Sequence, residues 1–147
     1  MILNFYYLNF NYLNKVMNLI LRNPNKLCKF SNYFFYRKVN YLNYLCDRKE
    51  LFKTNKQRIF DSNTKKYRTN ILNRISKIKN ENKKQKLINI VNNLDIDHIH
   101  ELQLNGDYKY TNLSLIDKKI NRSIGKQINH QIKNLSNGIY INKINID

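Results

Sequence analysis

Apolar residues recur along most of this chain at helical spacing. Near the N-terminus Phe5, Tyr6, Phe10, Leu13 and Met17 share one helical face, which predicts a helix whose stripe packs on the rest of the domain. Arg22-Asn23-Pro24-Asn25 is the clearest break, because proline ends a helix and restricts the residue before it. Within NTKKYRTNILNRISKIKN (63–80), Tyr67, Ile71, Ile75 and Ile78 repeat at helical spacing while Lys65, Lys66, Arg68, Arg74, Lys77 and Lys79 occupy other faces. Beyond the polar run ENKKQK, Leu87, Ile88, Val91 and Leu94 make a second stripe. Two basic amphipathic helices are expected there.

The period changes at residue 95. Ile96, His98, His100 and Leu102 alternate with Asp97, Ile99 and Glu101, a strand pattern. Asn105-Gly106 predicts a two-residue hairpin turn, since both residues tolerate positive φ. A second short strand or ordered loop follows through Leu113-Ser114-Leu115-Ile116. Asp117 then caps a helix with the stripe Ile120, Ile124, Ile128, Ile132 and Leu135. Gly125 weakens that helix, which suggests a packing or close-approach role. The closing GIYINKINI reads as one more short strand.

The expected fold class is therefore α+β, with a strand–turn–strand–helix module at 95–147 preceded by a basic helical region at 47–94. Residues 1–46 form an acid-free aromatic segment, for organellar targeting or for packing. Length suits one domain with a modest core. Three Gly and one Pro argue against turn-dense all-β architectures, and two cysteines, Cys28 and Cys46, cannot build a disulfide scaffold.

Charge sharpens this division. The chain carries 27 Lys+Arg against 10 Asp+Glu, a formal net charge of +17 that favours a polyanionic partner. Alanine is absent and Ile, Asn, Lys and Tyr abound, a usage like that of an AT-rich genome, so position says more than number. Residues 1–46 hold six basic side chains and no acid, 47–96 fourteen and five, and 97–147 seven and five. The excess belongs to the first two thirds. Between Ser31 and Cys46 six Tyr and Phe interleave with Arg37 and Lys38, a mixture that serves packing more often than base stacking. No apolar run is long enough for a transmembrane segment, and no basic start or cleavage site marks a secreted chain. The basic amphipathic leader matches part of an organelle-targeting description, so a mitochondrial or other organellar address is favoured over a cytoplasmic or nuclear one.

Candidate chemistry gathers in the last third. Asp97-His98, Asn112 and Asn121 stand within DHIHELQLNG…NLSLIDKKINRSIG. This stretch resembles the HNH, or ββα-metal, nuclease superfamily. It looks most like the HNH domains that end bacterial polymorphic toxins and those of RNA-guided CRISPR nucleases. The resemblance spans about residues 95–134, and nothing before it is similar to a known family.

The resemblance implies a metal-dependent endonuclease. By similarity, His98 would be the general base that activates water, Asp97 and Asn121 the metal ligands, and Asn112 the loop residue that fixes the His98 backbone and ring. Carboxylate, amide, water and phosphate oxygens are hard donors, so Mg²⁺ or Mn²⁺ is expected, with no structural zinc. Arg122 and Lys126 would hold a phosphate, and Lys65, Lys66, Arg68 and Arg74 would extend the nucleic-acid surface, with DNA ahead of RNA. His100 and His130 read as structural or surface residues. On a strand Asp97 and His98 point to opposite faces, so one site can use both only where the strand end twists. The rival reading is a non-catalytic nucleic-acid-binding subunit of an organellar ribosome or ribonucleoprotein that retains an HNH fold. A toxin effector domain is a third.

Overall fold

A computed structural model of the chain describes residues 16–59 and 61–147. The predicted stripe from Phe5 to Leu13, and with it the leader up to residue 15, lies outside the described residues. Met17 belongs to a strand and not to a helix: β1 (Val16–Leu21) runs parallel to β4 (Tyr140–Ile146), pairing Leu19 with Ile144 and Leu21 with Ile146. Leu19 and Leu21 are fully buried, so alternation with an inward face wins here over helical spacing.

The break at Pro24 is where expected. Asn23 Oδ1 accepts the Asn25 N–H at 2.9 Å and closes a turn. Helix α1 (Lys29–Asp47) then packs against β4. The basic helices follow as α2 (Ser62–Ser76) and α3 (Glu81–Asn92). Asp61 caps the first by accepting the Thr64 N–H, and Asn80 caps the second by accepting that of Lys83. Each has one buried residue, Ile75 and Val91 respectively, so most of their predicted stripes stay near the surface. Leu94 does not continue α3 but opens β2 (Leu94–His98).

Strand β2 pairs antiparallel with β3 (Leu113–Asp117), setting Asp97 opposite Ser114 and His98 opposite Leu113. The predicted two-residue hairpin is absent. Instead residues 99–112 form a loop with two 3₁₀ turns, Leu102–Leu104 and Tyr110–Asn112. Leu102 and Leu104 are buried at a spacing that imitates a strand while belonging to a turn. Asn105 does take positive φ (77°), and Gly106 donates its N–H to Glu101 O at 2.8 Å. A Cβ on Gly106 would lie 1.9 Å from His100 O, so only glycine fits this close return of the loop.

Helix α4 (Lys118–Ile132) follows β3 with no intervening loop, its N-cap Asp117 accepting the Ile120 N–H at 3.0 Å. Ile120, Ile124, Ile128 and Ile132 are buried as the stripe predicts. Full burial of such side chains contributes about 1.5–3 kcal/mol each. They meet Leu19 and Leu21 of β1, Phe35, Val39 and Leu42 of α1, Ile116 of β3, and Ile141 and Ile144 of β4 in one core. The fold is thus a mixed α+β arrangement of two small sheets and four helices among the described residues. No helix among them is long and apolar enough to cross a membrane.

The segment between α1 and α2 is largely extended. It is stitched down by Lys53 N–H to Ile139 O, Thr54 N–H to Gln103 O, and Ile141 N–H to Leu51 O, each at 2.9 Å. These bonds set residues 53–58 across from α4 and define a cleft.

Candidate active site

The cleft has a volume of about 790 Å³. Asp95, Asp97 and His98 of β2 line it, together with Asn121, Arg122 and Lys126 of α4 and with Lys53, Lys56 and Arg58 of the extended segment. Asp97 and His98 do share this cleft, because β2 ends at His98 and the chain turns away into the loop.

His98 is buried, and its Nε2 has no hydrogen-bond partner among the described residues. The ring lies edge-on to Tyr108, 6.3 Å between centroids, and the Tyr108 hydroxyl is tied to Gln57 O at 2.8 Å. Burial lowers the imidazole pKa below its ordinary value, and the nearby Arg58 charge lowers it further. The ring is therefore neutral at pH 7, the form that can accept a proton. Leaving a buried nitrogen without a partner costs about 1–3 kcal/mol in lost hydration, a deficit that a water or ligand atom in the cleft would offset.

Asp97 has a partner that the sequence pattern did not reveal. The ammonium of Lys38, on α1, donates to Asp97 Oδ2 and to His98 O, both at 2.6 Å, and to Ile99 O at 3.2 Å. It also lies 2.9 Å from Glu101 Oε1. The two side chains are only 4% and 6% exposed. Burial alone would lower the Lys38 pKa, but the charges of Asp97 and Glu101 override it and hold the ammonium above its ordinary value. Burial pushes the Asp97 carboxyl up to about 6 against the pull of Lys38, so at neutral pH both partners are charged. Removing one partner of such a pair costs about 3–5 kcal/mol, since the other is left buried and uncompensated. A signal did exist: Lys38 interrupts the otherwise apolar buried face Phe34, Phe35, Val39, Leu42, Leu45.

Asn121 does not bond Asp97. Its Nδ2 donates to Asp95 Oδ2 at 3.2 Å, and Arg122 Nε approaches the same oxygen at 3.3 Å. Asp95 is two residues before Asp97 and so on the same face of β2. Its side chain is 17% exposed and that of Arg122 67%, so this ion pair is worth only about 0–1 kcal/mol.

Asn112 fixes the loop, but one step beyond the expected place. Its Oδ1 accepts the His100 N–H at 2.8 Å, and its Nδ2 donates to His100 O and Asp107 O. Asn112 O accepts the Ile99 N–H. The backbone held is that of Ile99 and His100 rather than of His98. The His100 ring is itself engaged with Leu104 O at 2.7 Å, a structural role.

The predicted cationic residues divide. Arg122 and Lys126 line the cleft. Lys65 and Arg68 line a neighbouring groove that also reaches Asp95, although Arg68 spends donors on Val91 O and Leu94 O. Lys66 sits 6.0 Å from the centre of the Tyr110 ring, and Arg74 faces the same Tyr67–Tyr110 surface, apart from the cleft. Lys53, Lys56 and Arg58 were not singled out from sequence. Each donates to a backbone carbonyl, of Leu135, Gly106 and Ile96 respectively, and brings its charge to the cleft by doing so.

No three His, Cys, Asp or Glu side chains converge among the described residues. A divalent ion here would need oxygens of one carboxylate and one amide, completed by water and phosphate, a hard donor set that suits Mg²⁺ or Mn²⁺. The touching pair Asp95–Asn121 fits that description. Against protein-family models, curated proteins and solved structures, the chain finds no match.

Proposed function

We propose that the protein is a metal-dependent endonuclease of the HNH, or ββα-metal, type, hydrolysing nucleic-acid phosphodiester bonds with a water activated by His98. The observation that carries this reading is a neutral, buried, unpartnered imidazole in a cation-lined cleft, beside acidic residues of β2 and Asn121 of α4. The order β2, β3, α4, with the helix following the second strand directly, supports it.

Hydrolysis requires a water oxygen to bond phosphorus while the opposite ester bond breaks. His98 Nε2 would take the water proton, and the departing oxygen would be reprotonated from solvent. A divalent ion held by Asn121 and a β2 carboxylate would neutralise charge on the phosphate and the leaving oxygen. Arg122 and Lys126 supply phosphate contacts, and Lys53, Lys56 and Arg58 raise the local positive potential. Such contacts read the backbone, so no strong sequence preference is expected; DNA is taken ahead of RNA as the substrate from the nuclease resemblance alone.

Purified protein incubated with supercoiled plasmid and with structured RNA, in Mg²⁺, Mn²⁺ or EDTA, tests the reading beside His98→Ala. The expected result is metal-dependent cutting that the variant loses while still binding. Salt-sensitive binding without cutting under any metal would replace it with the non-catalytic ribonucleoprotein subunit.

A further inference from the structure

We infer that Asp95, and not Asp97, is the carboxylate that holds the divalent ion together with Asn121. Asp97 serves instead as the buried counter-ion of Lys38. The inference rests on the nuclease reading and reassigns one of its ligands.

Four oxygens surround the Lys38 ammonium: Asp97 Oδ2, Glu101 Oε1, His98 O and Ile99 O. Its three protons are fully used. A divalent ion on Asp97 would sit beside a second buried cation, in a setting where charges repel far more strongly than in water. The Lys38 side chain is itself only 4% exposed.

Asp95 stands differently. Its partners are the Asn121 amide at 3.2 Å and the Arg122 guanidinium at 3.3 Å. Arg122 is mostly exposed and can leave Asp95 for a phosphate. Turning the Asn121 amide over would aim Oδ1, a hard oxygen donor, at the space Asp95 already faces. A carboxylate and an amide would then share one ion, with no buried pair disturbed. The unpartnered His98 Nε2 is the independent sign of a ligand in the same cleft. In-line displacement sets nucleophile and leaving oxygen on opposite sides of phosphorus, so base and ion have to flank the phosphate rather than touch. The sequence resemblance selects Asp97 because it adjoins His98, whereas Lys38 lies on a helix 59 residues earlier.

The test is Mn²⁺ binding to the full chain without nucleic acid, followed by electron paramagnetic resonance of the free ion. Asp95→Asn should weaken Mn²⁺ at least tenfold. The double variant Lys38→Met/Asp97→Asn, which removes both charges of the pair together, should bind within about twofold of wild type. Wild-type binding by Asp95→Asn would overturn the assignment, and so would loss of binding in a folded double variant. A gain of signal guards against misfolding. Asp95→Cys offers a thiolate and should shift preference from Mn²⁺ to Cd²⁺. The readout is Cd–thiolate absorption beyond that of the native cysteines, with Asp97→Cys showing none. The band in Asp97→Cys alone would also overturn it. Plasmid cutting by the same preparations separates the two levels. If wild type cuts but Asp95→Asn binds and cuts equally well, only the assignment fails. If wild type neither binds Mn²⁺ nor cuts, both fail.

Discussion

Lys38 Nζ lies 2.6 Å from Asp97 Oδ2, and both side chains are almost wholly out of solvent. One contact therefore ties the middle of α1 to the end of β2, where the chain leaves the strand beside His98. With Glu101 and two backbone carbonyls as further acceptors, the ammonium holds the turn from His98 to Glu101 against the helix.

Replacing Lys38 alone should be severe. Lys38→Met leaves Asp97 buried without its counter-charge and should destabilise the fold by about 3–5 kcal/mol. Adding Asp97→Asn should recover most of that loss. Urea unfolding of the two variants, with Asp97→Asn alone, measures the coupling as a double-mutant cycle, and equal stability of Lys38→Met and wild type would refute it.

The His98 ring should titrate below its ordinary 6.5 in the folded protein, as burial and Arg58 dictate. The unfolded chain then binds its proton first as pH falls. His98 thus contributes stability that is present above about 6.5 and lost as pH drops through the folded value. Asp97 acts in the opposite sense: its carboxyl is at about 6 folded against 3.8 unfolded, so its share grows as pH falls between them. NMR titration of the His98 ring reads the first shift directly. His98→Gln should flatten the loss of stability just below neutrality, and an unchanged slope would contradict the assignment.

Gly106→Ala should distort the loop that follows His98. The added Cβ meets the His100 carbonyl at 1.9 Å, and backbone atoms cannot yield as a flexible side chain would. A loss of about 1–3 kcal/mol or more is expected, with amide exchange quickened across residues 99–112. Unaltered protection there would show that the return of the loop at Gly106 is dispensable.

Nucleic-acid affinity should fall steeply with salt. If the cleft holds the backbone, Lys126→Ala should reduce the slope of log K against log salt by about one, the share of one lost phosphate contact. Lys66→Ala, on the Tyr110 surface, should change it less. Fluorescence anisotropy at several salt concentrations distinguishes them, and equal effects would place the binding surface along α2 as well.

What the sequence determined by itself is local. The stripe of α4 and its Asp117 cap, the basic faces of α2 and α3, the break at Pro24 and the positive φ of Asn105 all depend on residues within four positions of each other. Periodicity and capping act over that range, so they are readable in one dimension. Tertiary structure decided the rest. Val16–Leu21 is a strand because β4 pairs with it from more than 100 residues away. The alternation through Leu102 ended at His98 because Lys38 and Asn112 hold the backbone that follows. Asp97 is claimed by a lysine on α1, and Asn121 meets Asp95 across 26 residues. Such contacts arise where burial makes a charge or an amide seek whatever partner the fold brings near, and spacing along the chain leaves no mark of that choice.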